Sequence, residues 1–150
     1  MKRWRILLIL LLLGTGAALM VWNYVNKAAT DYSTEKPSAT WNSLNLLQQA
    51  EKDTALPTKL LNQLIVVNGN IKHIQTDSAS TTIELGDSSS ASSITCQIDP
   101  RYRSDFQRMK EGIRVEIKGK LTAITTDTEL GTGTTIEMNF CTLNKTTNHE

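Results

Sequence analysis

Two cysteines, two histidines and one arginine-rich stretch are the residues of this 150-residue chain whose chemistry could define a site. Cys96 sits in the alternating run Ile94-Thr95-Cys96-Gln97-Ile98, and Cys141 directly follows Phe140. Side chains alternate between the two faces of a strand. Cys96 therefore shares a face with Ile94 and Ile98, while Cys141 falls on the face opposite Phe140 unless a bulge intervenes. Two outcomes stay open. A disulfide is compatible with an oxidising compartment and would contribute about 2–4 kcal/mol; otherwise the pair are buried thiols packing as small hydrophobes. A four-cysteine zinc site and a disulfide-dense scaffold are both excluded by the count. His73 lies between Ile71 and Ile74, His149 lies at the C-terminal end, and Glu84, Glu116 and Glu137 fall singly on polar strand faces. No glycine-rich phosphate loop, nucleophile–base set or metal spacing appears. The expectation is a chain without catalytic residues, cofactor or metal, because catalysis needs converging titratable groups.

Arg101, Arg103, Arg108, Lys110 and Arg114 form the one local basic excess and are the candidate binding surface. Asp99, Asp105 and Glu111 are interleaved with them, and the whole chain carries a formal charge of +1. Attachment to a polyanion by bulk charge is excluded at that balance. Single-strand binders also present aromatic rings on which bases stack. The nearby rings, Tyr102, Phe106 and Phe140, all fit apolar core stripes. Nucleic acid is thus the second expectation, behind an envelope protein or small-ligand partner.

These residues must be held by something, and the composition is uneven. Ile6 to Trp22 is a seventeen-residue stretch without charge, preceded by Lys2, Arg3 and Arg5 and flanked by Trp4 and Tyr24. At about 1.5 Å per helical residue it reaches roughly 26 Å, short but sufficient for a bilayer core. Interfacial aromatics and early positive charge favour an anchor over residues 1–25, with the N-terminus in the cytoplasm and the remainder outside the inner membrane. The alternative is a secretory signal cleaved near Gly16-Ala17-Ala18, giving a periplasmic or secreted protein. Asn26 to Ala39 lacks an apolar period and reads as a tether. A packing helix and its connector follow over 40–58, capped by Thr40, with Trp41, Leu44, Leu47 and Ala50 as its stripe and Leu46 widening it.

From residue 59 to 144 the pattern becomes a barrel. Strands are expected from Leu64 through Ile74 with a bend at Gly69, over Thr82–Leu85, over Ile94–Ile98, over Ile113–Leu121, and around Ile136, Met138 and Phe140. A helix with Tyr102, Phe106 and Met109 on one face interrupts them between Asp99 and Gly112. The segment Thr125 to Gly133 makes a hairpin tip, and 145–150 is a disordered tail. Three strands, a helix and two strands is the order of the five-stranded Greek-key OB barrel, so the fold class expected is mainly β. Val66-Val67-Asn68-Gly69-Asn70-Ile71, the Cys96 strand, Met109 to Lys120 and Ile136 to Cys141 together resemble the small bacterial membrane-anchored proteins called tRNA_anti-like. The likeness covers residues 40–144 and departs at Leu121, where many members carry a cysteine. It implies an apolar N-terminal segment, a short helix and an OB barrel, and it implies nucleic-acid binding only by analogy of fold.

Overall fold

The computed structural model describes residues 14–22, 24–25, 30–127 and 133–144, and the chain divides into two compact units, Met1–Thr30 and Asp31–Glu150. Ile6 to Leu13, the hairpin tip beyond Asp127 and the tail 145–150 lie outside the described residues. In the first unit, residues 14–22 and 24–25 are helical, with Leu19, Met20, Val21 and Trp22 exposed. Among the described residues no helix is long and apolar enough to cross a membrane. The expected 6–22 span is described only from Gly14 onward.

In the second unit, alternating apolar residues close on themselves. The strands are β1 (Ala39–Asn42), β2 (Leu64–Thr76), β3 (Thr81–Leu85), β4 (Ser93–Ile98), β5 (Arg114–Asp127) and β6 (Gly133–Leu143). Their order is β1-β2-β3-β4-β6-β5, and β5 returns to pair with β2, so the last five form a closed barrel. Pairings are antiparallel except β1 on β2 and β4 beside β6. One strand serves two partners: Leu64–Asn70 pairs with β5, and Ile71–Thr76 pairs with β3. The halves divide after Asn70, with the register shift between Ile71 and His73 rather than at Gly69; at Gly69 a Cβ would lie 2.3 Å from the Ser43 hydroxyl oxygen. Only glycine admits that approach. Ile65, Val67, Ile83, Ile94, Ile117, Leu121, Ile136 and Met138 fill the interior.

Helix α1 (Ser43–Lys52) and the short α2 (Leu56–Leu60) cover the core. The cap is Asn42, whose side chain accepts from the Leu44 amide at 3.0 Å, and not Thr40. Ser43, Leu46, Leu47 and Ala50 are therefore the buried face, while Leu44 is 46% exposed. Trp41 belongs to β1. The expected 41/44/47/50 stripe gives way because a helix starting at Ser43 turns its 43/46/47/50 set inward. Burying Leu46 and Leu47 contributes about 2 kcal/mol each.

The segment between β4 and β5 is shorter than the sequence suggests. A 3₁₀ turn (Pro100–Tyr102) and one helical turn, α3 (Arg103–Phe106), replace a helix reaching Gly112. Asp99 caps it through the Arg101 amide. Of the three rings expected in the core only Phe106 is buried, at 2% exposure. Phe140 is 37% exposed because its φ is +55°, a kink that slips β6 by one residue and turns Cys141 inward. The bulge that could place both cysteines inside is present.

The expected tether also differs from Asp31 on. The Tyr102 hydroxyl bridges the Asp31 carboxylate at 2.8 Å and the Ser33 hydroxyl at 2.7 Å. Lys118, only 6% exposed, donates to the carbonyls of Ser33 and Glu35, and burial pushes its ammonium pKa down. Tyr32 packs on Phe140 at 5.5 Å between ring centres. Residues 31–38 are thus a strap on the barrel, continuing into β1. Polar residues without a period can be ordered when distant donors meet their carbonyls. The Ser33 amide first, then the Tyr102 hydroxyl, hold the Asp31 carboxyl down at about 2 from 3.8. A depressed acid stabilises above its unfolded pKa, so this anchorage is complete above pH about 4 and lost as pH falls through about 2. In the wild-type chain the Tyr32 and Tyr102 ring resonances should shift across that window. Asp31→Asn should abolish the shift, and identical titrations in both chains would remove Asp31 from this role.

Candidate binding groove

The bend of β2 and the amino end of α1 leave between them a groove of about 610 Å³. Its lining includes Gly69 and Ile71 of β2, Asn42 to Leu44 at the start of α1, Gly86 to Ser88 after β3, and the chain entering β5 from Glu111 to Arg114. Both signs of charge line it, Lys72 and Arg114 with Asp87 and Glu111.

The bonds made inside the protein decide what remains for a ligand. Lys72 Nζ donates to the Ser90 carbonyl at 2.8 Å, and Arg114 Nε to Asn68 Oδ1 at 2.6 Å. Asp87 accepts from the Ser89 amide and hydroxyl, each at 2.9 Å, and the amide is the main cause of its lowered pKa. Glu111 meets His73 Nδ1 at 2.8 Å. Ser43 is 2% exposed, and its side chain lines the groove against Gly69, where a Cβ would lie 2.3 Å from the hydroxyl oxygen. It stands at a helix start, where backbone N–H groups favour negative charge, and the first turn of α1 holds no acidic residue. The amino end of α1 and the outer guanidinium of Arg114 suit an anionic group, and the free carboxylate oxygens of Asp87 and Glu111 suit a cationic one.

The five basic residues picked out in the sequence have different fates. The Arg101 amide and Nε bond to Asp99 at 3.0 and 2.9 Å, and its guanidinium lies 4.0 Å from Asp31. The Asp99 carboxylate is only 4% exposed, and its pKa is lowered chiefly by the Arg101 side chain. Arg103 donates to the carbonyls of Asp77 and Ser78, pinning the turn between β2 and β3. Arg114 lines the groove. Arg108 and Lys110 are exposed, and their side chains make no bond among the described residues. Three of the five are thus engaged by the fold itself. Ser43, Lys72, Asp87 and Glu111 share no spacing in the sequence; Gly69, a glycine inside an apolar run, is the one local signal of the groove.

Cys96 and Cys141 are free thiols at 0% exposure in the same buried cluster, on neighbouring strands. Cys141 Sγ also lies 3.4 Å from the Met138 carbonyl, and burial pushes its pKa up.

The model of the protein family described as tRNA_anti-like matches residues 1–130. No curated protein matches this sequence. Among solved structures, OBody AM3L09 bound to hen egg-white lysozyme is 20% identical with a TM-score of 0.42, over 57% of this chain and 84% of that one. Asparaginyl-tRNA synthetase from Pyrococcus horikoshii is 10% identical with a TM-score of 0.40, over 57% of this chain and 20% of the synthetase. Aspartyl tRNA synthetase from Entamoeba histolytica gives 10% and 0.40, over 57% and 19%. The chain spans about a fifth of each synthetase.

Proposed function

The chain belongs to the tRNA_anti-like family, and from that premise we propose a non-catalytic binding module held at the inner membrane by residues 6–22, whose barrel faces outward and takes a small polar ligand in the groove beside α1. The observation carrying this reading is the groove's lining, in which Lys72 and Arg114 stand with Asp87 and Glu111 beside the amino end of α1. A ligand of one sign would be repelled by half of that lining. A small zwitterion, carboxylate toward Ser43 and Arg114 and ammonium toward Asp87 and Glu111, meets all of it, and the volume is in the usual range for small-molecule sites. An envelope protein presenting a free chain terminus would offer the same groups.

The probe is glycylglycine, titrated into the full chain in detergent and followed by NMR. Ser43, Gly69 and Arg114 resonances are expected to shift at millimolar concentration, and N-acetyl-glycylglycine, which lacks the ammonium, to shift them at least tenfold less well. Equal response to both would refute the zwitterion, and no response would refute the groove. Placement is tested separately by a reporter active only outside the cytoplasm, fused after Asn144. An inactive reporter refutes the outward barrel, and a product about eighteen residues short shows a cleaved signal.

Exposed Arg108 and Lys110 support the second reading, a single-stranded nucleic-acid binder. With Arg101 and Arg103 engaged by the fold, Arg108, Lys110 and the outer guanidinium of Arg114 leave too few phosphate contacts. No binding of a single-stranded oligonucleotide is expected at about 150 mM salt. Micromolar affinity that is lost when Arg101, Arg103 and Arg108 become Ala would reverse the order of the two readings.

A further inference from the structure

Three separate features of the barrel converge on the space between Cys96 and Cys141. The first is in β6. Thr134, Ile136 and Met138 are buried in alternation, and strict continuation would bury Phe140. Instead Phe140 takes a φ of +55°, a left-handed conformation uncommon for a bulky residue, and Cys141 enters the interior in its place. The second lies across the pairing with β5. A Cβ at Gly119 would sit 2.5 Å from Cys141 Sγ, so the glycine keeps open the volume that the sulfur occupies. The third is the partner itself. β4 lies parallel to β6 with Cys96 opposite Met138 and Ile98 opposite Cys141, so the two side chains stand on neighbouring strands in the same buried cluster, where burial first and Cys96 second raise the Cys141 pKa.

We propose that Cys96 and Cys141 are a disulfide-forming pair, closed by thiol–disulfide exchange while the chain folds in the presence of a disulfide oxidant. One cysteine thiolate attacks a sulfur of the oxidant, forming a mixed disulfide and releasing half of the oxidant as a thiol. The second thiolate then attacks the cysteine sulfur of that mixed disulfide and releases the other half. Each cysteine gives up its proton to solvent, and the two electrons removed from the pair leave in the two thiols of the reduced oxidant. The timing follows from burial. Both sulfurs are at 0% exposure, and the raised pKa of Cys141 leaves little thiolate in the folded barrel. The pair is therefore set during folding and keeps afterwards the state in which the chain folded. This inference is independent of the groove and its ligand.

The test uses the full chain, unfolded with reductant in guanidinium and refolded in detergent with oxidised and reduced glutathione, then unfolded again in iodoacetamide for mass analysis. The expected product takes up no iodoacetamide, weighs two hydrogens less than the reduced chain and yields a Cys96–Cys141 linked peptide. Closure in an unfolded chain is separated from closure by the fold through the exchange constant against glutathione. That constant should be about a hundredfold larger under folding conditions than in concentrated urea. Equal constants would overturn the proposal. So would two carbamidomethyl groups on the refolded chain, or glutathione held on either cysteine.

Discussion

Ile117→Asp is expected to leave no folded barrel. Ile117 is at 0% exposure in β5, opposite Val67 of β2 on one side and Leu143 of β6 on the other, at the seam where the sheet closes. A carboxylate placed there has no counter-charge in the surrounding cluster of Ile65, Leu121 and Met138. An unpaired buried carboxylate costs several kcal/mol, against a total stability of about 5–15 kcal/mol. Circular dichroism should show loss of the cooperative thermal transition. The neighbouring Glu116 faces outward and accepts from Asn68 Nδ2 and Asn144 Nδ2, each at 3.1 Å. Glu116→Gln should cost about 1 kcal/mol, the worth of one such bond. Comparable losses from the two substitutions would mean that the strand phase, and with it the barrel's inside and outside, is reversed.

The second large effect is expected at Gly119. Adding a methyl group there places it 2.5 Å from Cys141 Sγ, 3.0 Å from Met138 Cε and 3.4 Å from the Asn139 carbonyl. Met138 can swing its end aside, but the bulged backbone of β6 cannot yield easily. Gly119→Ala should lower stability by about 1–3 kcal/mol, the usual range for overpacking a closed core. Removing the sulfur should return part of the loss. In a double-mutant cycle by urea denaturation, Cys141→Ala should therefore show a favourable coupling with Gly119→Ala of at least about 0.5 kcal/mol. Additive losses would place the strain elsewhere than at the sulfur.

These two residues mark how far the sequence could be read. Ile117 was legible because alternation in β5 runs unbroken from Val115 to Leu121, and a period of two with one buried face specifies a strand and its phase. The five barrel strands and their order followed from the same signal. The turn at Phe140 was not legible, since nothing in Met-Asn-Phe-Cys marks a left-handed residue where glycine or asparagine would be the usual sign. Alternation alone therefore assigned Phe140 and Cys141 to the wrong faces. β1 escaped because its four residues, Ala39 to Asn42, run straight into a helix whose period overlaps them. The strap escaped for a different reason. Its order comes from Lys118 and Tyr102, some seventy or more residues away, and no local pattern in Asp31 to Ser38 reports such partners. The same holds for the groove, where Ser43, Lys72, Asp87 and Arg114 come from four separate segments and share no spacing. Of the basic group, the bond of Arg101 to Asp99 is two residues long and could have been read locally; the engagement of Arg103 by the turn at Asp77 could not.

The strap and β1 also fix how the barrel answers to force. Tension transmitted along the chain from its N-terminal end arrives at Asp31, where the hydroxyl of Tyr102 and then the ammonium of Lys118 take it up. Behind them lies β1, paired in parallel with Ile65 to Asn68 of β2. A strand pulled along its own axis loads its evenly spaced hydrogen bonds together, in shear, whereas one peeled from an end loads them one at a time. A pull along the axis of β1 would therefore meet the bonds of the strap first and the parallel ladder of β1, loaded as a unit, behind them.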